Sequence, residues 1–265
     1  MILSPALLSA LLLAAAPAPA AGPADTRSDR ARFEACVQLT DSDPAAAEHN
    51  AADWARNGGG IAAAQCLGIA RTAAGNWKGA IDAFSTAATL AGQTHAGTAG
   101  NLWASAGDAA LAGGDAVQAR ALLTTALGSP DLVGQMKGEA YLDRARAEVA
   151  AADLVAARGD MDEAVAMVPD DPMAWLLSAT LARRMKDLPR ATTDIGQAQT
   201  RSPADADILV EAGNIAAAGG DTAGARKNWS HVLVTAAPDS DAIREARAKL
   251  MDTGGIPASA TAVGR

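Results

Sequence analysis

The sequence predicts an all-α fold, a superhelix (α-solenoid) of about five tandem helix-turn-helix repeats with capping helices at both ends. Three observations carry that expectation. The first is composition: hydrophobic residues make up 49% of the 265, aromatics 3% and charged residues 20%. Alanine alone is roughly a quarter of the chain, an unusual share for a soluble protein. Alanine has the highest helix propensity and lets helices approach closely, but each one buries little area. A core built from it must be extended and repetitive. The second is a ladder of polar residues, each followed four residues later by alanine: Asn76/Ala80, Asp115/Ala119, Asp153/Ala157, Asp187/Ala191 and Asp221/Ala225. The intervals are 39, 38, 34 and 34 residues, and self-similarity at such a period marks a repeat array. The third is a constant set of large and small apolar residues placed around each rung.

In chain order, residues 1–21 form a targeting segment. Leu7–Ala16 is an apolar run of signal-peptide length, too short to span a bilayer, and Ala18-Pro19-Ala20 supplies the small residues a signal peptidase reads. No Lys or Arg precedes the run, and the alternative is a buried N-terminal helix. Cleavage near residues 20–21 would send the mature chain to a periplasmic or secreted location with no transmembrane segment. Residues 28–60 then read as a degenerate capping helix pair, with Phe33, Val37 and Trp54 apolar and Gly58-Gly59-Gly60 as a break. Terminal repeats need a wet outer face, which explains the degeneracy.

The array proper occupies 61–239, with repeats at 61–94, 100–133, 138–171, 172–205 and 206–239. Asn and Asp are strong N-caps, so each rung starts a helix. Gly75, Gly114 and Gly220 stand just before three of the caps, where a preceding helix must end. Eight residues after each cap lies a large residue (Phe84, Leu123, Met161, Ile195, Trp229) and three further on a small one (Ala87, Ala126, Ala164, Ala198, Val232). These positions share one helix face. Twelve residues before each cap stand Ala64, Trp103, Tyr141, Trp175 and Leu209, and eight before it the small residues Gly68, Gly107, Ala145, Ala179 and Gly213. The first helix of each pair therefore carries a knob and, one turn on, a close-approach site. At this spacing Trp103, Trp175 and Trp229 are core residues rather than a ligand cage. Residues 240–252 read as a charged, amphipathic final helix, and 253–265 as a flexible tail.

These residues resemble the tetratricopeptide repeat (TPR), whose pattern is W-x2-L-G-x2-Y, then A-x3-F-x2-A, then Pro. Leu67-Gly68, Ala80, Phe84 and Ala87 carry the likeness in the first repeat, and Trp175, Ala191, Ile195, Ala198 and Pro203 in the fourth. The resemblance implies a right-handed superhelix. It fails at the tyrosine position, occupied by Arg71, Ala110, Glu148, Ala182 and Ala216, and Arg144 replaces the usual leucine of the third repeat.

Cys36 and Cys66 are an even pair in an exported chain, which favours a disulfide pinning the N-terminal cap; the alternative is two buried free thiols. No catalytic pattern is present: there is no HExxH, GxSxG, Walker loop or GxGxxG after a strand. His49, His95 and His231 lack ligand spacing. Neither an enzyme nor a cofactor or metal is expected. The net charge of −8 and the lack of a Lys/Arg cluster disfavour nucleic acid.

The TPR resemblance implies a concave groove lined by first helices, where a partner protein or peptide lies. Seven residues before the caps this places Ile69, Asp108, Arg146, Thr180 and Asn214, with Arg183 and Arg184 added in the fourth repeat. Arg146, Arg183 and Asn214 on adjacent helices would suit a carboxylate or an extended peptide. The alternative is that these arginines pair with nearby carboxylates or face solvent. The functional expectation is an exported protein- or peptide-binding adaptor or scaffold whose partner is unidentified. The other reading is a groove for a small anionic or saccharide ligand, acting as an accessory subunit in an envelope process.

Overall fold

The computed structural model describes residues 26–253; the targeting segment and the tail from residue 254 lie outside the described residues. The described chain is helical throughout. α1 (Thr26–Ser42) and α2 (Pro44–Arg56) come first, followed by the pairs α3 (Gly60–Ala73) with α4 (Trp77–Thr94), α5 (Ala99–Ala112) with α6 (Ala116–Leu127), and α7 (Gly134–Ala150) with α8 (Leu154–Met167). Two further pairs are α9 (Pro172–Arg184) with α10 (Leu188–Arg201) and α11 (Ala206–Ala218) with α12 (Thr222–Thr235), and α13 (Asp241–Asp252) ends the array. From α2 onward each helix packs on the next, and among the described residues no helix is long and apolar enough to cross a membrane.

One turn is built five times. The residue before each cap is left-handed: Gly75, Gly114 and Gly220 at φ 70, 79 and 84°, but also Ala152 at 62° and Lys186 at 65°. That conformation lets the cap's own N–H reach the carbonyl five residues back, from Asn76 to Arg71 at 2.8 Å and from Asp115, Asp153, Asp187 and Asp221 to Ala110, Glu148, Ala182 and Ala216 at 2.9 Å. The side chain of each cap then accepts the N–H three residues ahead, at 2.8–3.2 Å. Orphan groups at both helix ends are thus satisfied in one short turn. The third repeat, despite Arg144, keeps this geometry.

The large and small residues eight positions either side of the cap meet. A Cβ added to Gly68 would come within 2.6 Å of the Phe84 ring, and one on Gly107 within 2.5 Å of Leu123 Cγ. Gly213 lies against the Trp229 indole in the same way. In the other two pairs Ala145 shares a cluster with Met161, and Ala179 with Ile195. Trp229 is buried and donates its indole N–H to the Val210 carbonyl at 3.3 Å. Trp103 and Trp175 are only half-buried, because each packs at a seam between repeats. Trp175 donates to the Pro169 carbonyl at 2.7 Å, and the Arg201 guanidinium lies 5.2 Å above its ring.

Arg144 is explained by the helix it faces. Its guanidinium binds Asp160 of α8 through two hydrogen bonds of 2.6 and 2.7 Å, and Asp160 is buried. At the same place in the next pair, buried Ser178 donates to Asp194 at 2.5 Å and accepts from Arg158 at 2.9 Å. Charge replaces leucine here only because each group has a bidentate or networked partner. At the N-terminal end Cys36 of α1 and Cys66 of α3 are disulfide-bonded, with Cα atoms 6.3 Å apart and a sequence separation of 30. Closing such a loop stabilises by about 3–4 kcal/mol in the chain-entropy treatment.

The two left-handed residues that are not glycine carry avoidable backbone strain. Ala152→Gly and Lys186→Gly should each raise the unfolding free energy by about 0.5–1 kcal/mol, and Gly114→Ala should lower it by about 1 kcal/mol. Urea unfolding curves with an unchanged slope would check all three.

Candidate functional site: the first-helix groove

The residues expected to face the groove fall into three zones. At the C-terminal side, Arg183 of α9 is held by buried Glu211 of α11 through bonds of 2.7 and 3.0 Å. Asn214 donates to Glu211 at 3.4 Å and to Glu245 of α13 at 3.2 Å. Here the guanidinium and the amide nitrogen are spent on bridging neighbouring repeats.

The second zone is acidic and lies between α5 and α7. Asp108 keeps solvent access on the open side of the groove, yet desolvation by the surrounding protein and repulsion from Asp143 push its pKa up to about 8. A hydrogen bond to Asp143 raises it further, Arg146 opposes the shift, and Glu139 adds a smaller repulsion. At neutral pH the Asp108–Asp143 pair therefore retains a proton, because like charges at close range cannot both ionise cheaply. Arg146 meanwhile pairs with Asp143 at 2.8 Å, an exposed contact one turn apart on the same helix.

The third zone lies between them. α5 packs on α7, and α9 and α13 pack on α11, whereas α7 and α9 make no comparable approach. The gap is a cleft of about 240 Å³ with an apolar floor and walls: Val149 of α7, Met161 of α8, and Leu177 and Leu181 of α9. Thr180 lies in the same wall, and Arg146 and Arg184 stand at its rim. Arg184 is exposed and, unlike Arg183, has no ion-pair partner among the described residues. Of the sequence-predicted residues, the structure brings Arg146, Thr180 and Arg184 together here, places Arg183 and Asn214 in the bridging zone, and sets Asp108 beside Arg146 in the acidic one.

Sequence reasoning missed Asp143, Leu177 and Glu211. All three stand ten residues before their caps, one helical turn from the positions seven before. Helical spacing puts both rows on one face, so the signal was available. Among the described residues no group of three or more His, Cys, Asp or Glu side chains is placed to hold a metal ion.

No described protein family and no curated protein matches the chain by sequence. Solved structures do match by fold. PilW, a widely conserved type IV pilus biogenesis factor, superposes with a TM-score of 0.69 at 15% identity, over 82% of this chain and 97% of that one. PilF of Pseudomonas aeruginosa gives 0.65 at 13% identity, over 84% and 99%. YrrB, a TPR protein with an unusual peptide-binding site, gives 0.54 at 15% identity, over 70% and 91%. At such identities the likeness establishes the fold alone, an α-solenoid like that of these TPR structures.

The tyrosine position of the TPR pattern carries a second polar arrangement, away from the cleft. Arg71 there binds Glu48 of the preceding α2 at 2.9 Å and the Gly79 carbonyl at 3.0 Å. In the third repeat the charges are exchanged: Glu148 takes the place of Arg71, and Arg120 of α6 takes that of Glu48. The exchange is incomplete. Arg120 approaches Asp153 instead, at 4.0 Å, and Glu148 Oε2 is buried with no partner. Burial, then repulsion from Asp160, raise the Glu148 pKa from 4.5 to about 7, against the pull of Arg144. A folded-state pKa above the unfolded value means stability that is fully present below pH 4.5 and lost as pH rises through about 7. Glu148→Gln should therefore match the wild type near pH 4 and exceed it at pH 8, by at most about 3 kcal/mol. Thermal melts across that range check this, and parallel pH profiles for the two proteins would contradict it.

Proposed function

We propose that the chain is an exported adaptor that binds a protein or peptide through its first-helix groove. The observation that carries this reading is the α7–α9 cleft: an open apolar slot with an unpaired guanidinium at its edge, on an array whose other groove charges are paired internally. Apolar walls with a few oriented polar groups are the usual make-up of a recognition site, and peptides commonly dock in apolar grooves. The PilW and YrrB likenesses support the same direction, one being a pilus biogenesis factor and the other carrying a peptide-binding site. The Cys36–Cys66 bridge supports an oxidising compartment such as the periplasm. The acidic net charge argues against nucleic acid as partner, and no catalytic role is assigned to any group.

Affinity capture from envelope extract tests the reading. The wild-type protein should retain a defined protein that Arg146→Glu with Arg184→Glu releases, while the double variant keeps the wild-type circular dichroism. Identical captured sets from wild type and double variant would overturn it.

A further inference from the structure

Resting on the groove reading above, we infer that the α7–α9 cleft selects an extended segment carrying one bulky aliphatic side chain flanked by a carboxylate on one side and a cation on the other. Three features of the cleft lead there. Its floor and walls are aliphatic or thioether, from Val149, Met161, Leu177 and Leu181, with no aromatic ring to stack on a planar group. Its volume of about 240 Å³ has room for a large aliphatic side chain together with the backbone that carries it. Apolar burial supplies the affinity, and the charges around the rim set the orientation.

The charges are arranged asymmetrically. On the α9 side stands Arg184, exposed and without an ion-pair partner among the described residues. On the α5 side lie Asp108, Glu139 and Asp143, crowded enough that Asp108 and Asp143 hold a shared proton. Arg146 sits between, already half-committed to Asp143. A carboxylate next to the buried side chain is attracted only if it lies toward Arg184, since toward Asp143 it meets like charge. A lysine or arginine lying toward α5 meets the acidic zone and favours its full ionisation. An aliphatic segment with acids on both sides, or with bases on both, is thereby rejected. Such repulsive elements, as much as attraction, give specificity. Thr180 does not alter this polarity, because its hydroxyl donates to the Leu176 carbonyl at 2.9 Å on its own helix.

The test uses fluorescein-labelled nonapeptides on a Gly/Ser background with a central leucine. One carries lysine before and aspartate after the leucine, and a second has the order reversed, since chain direction across the groove is free. Fluorescence anisotropy with the full chain should give saturable binding for one of the two orders. That binding should weaken at least tenfold when the peptide leucine becomes alanine, when both flanks are aspartate, and when the protein carries Arg184→Glu. Arg184→Lys should retain most of it, and raised salt should weaken it. Neither peptide binding better than the alanine control, or binding indifferent to Arg184→Glu, overturns the inference. If the capture experiment still yields a partner lost in the double variant, the groove reading survives and only the segment chemistry falls. If capture fails as well, both fall.

Discussion

A chain that is a quarter alanine faces one constraint before any other: its helices must come close enough for small side chains to make dispersion contact. A helix faced with alanine offers little area per residue, so a separation set by leucine or phenylalanine on both sides would leave voids. The pairs solve this by placing one large residue opposite a glycine or alanine, Phe84 over Gly68, Leu123 over Gly107 and Trp229 over Gly213. The large side chain fills the space that the missing one vacates, and the alanines alongside (Ala80, Ala87, Ala119, Ala126) are buried at 0–1% exposure. The remaining features of the array follow from holding that contact. The five left-handed turns fix where the second helix begins, and the side-chain caps fix its first turn, so that the large residue arrives opposite the small one every time.

Where the alternation weakens, charge takes over. Arg144 cannot fill the leucine site by dispersion, so it is tied to Asp160; Ser178, Arg158 and Asp194 form the equivalent network one repeat on. These partners differ from repeat to repeat. The α7–α9 cleft opens in that stretch. The side chains that line it, among them Val149, Met161, Leu177 and Leu181, do not fill the gap between the two helices, and so the slot remains available to an outside side chain.

The ladder Asn76 to Asp221 made most of the fold legible in the sequence, because caps, knobs and close-approach sites obey fixed local offsets. Ala152 and Lys186 were not legible as turn residues. Neither is glycine, and the strain of φ above 60° is imposed by the tertiary register rather than by their own preference. The site was less readable than the fold. Position along a helix predicted that Arg146, Thr180, Arg183 and Arg184 face the groove, but not which of the two adjacent arginines is paired. That depends on Glu211, a residue of the next repeat whose approach is a matter of superhelical geometry. Likewise the gap between α7 and α9 is a difference in helix separation, a quantity to which no local pattern refers.

The central claim is that a small residue facing a large one sets the helix separation on which the array depends. A double-mutant cycle on Gly107 and Leu123 tests it most directly. Gly107→Ala alone places a methyl against Leu123 and destabilises, and Leu123→Ala alone opens a cavity worth about 2–5 kcal/mol. In the double variant the new methyl enters the vacated space, so the loss should fall short of the sum by about 1 kcal/mol or more. Losses that add to within about 0.5 kcal/mol would contradict the account, since residues that do not share a contact behave that way.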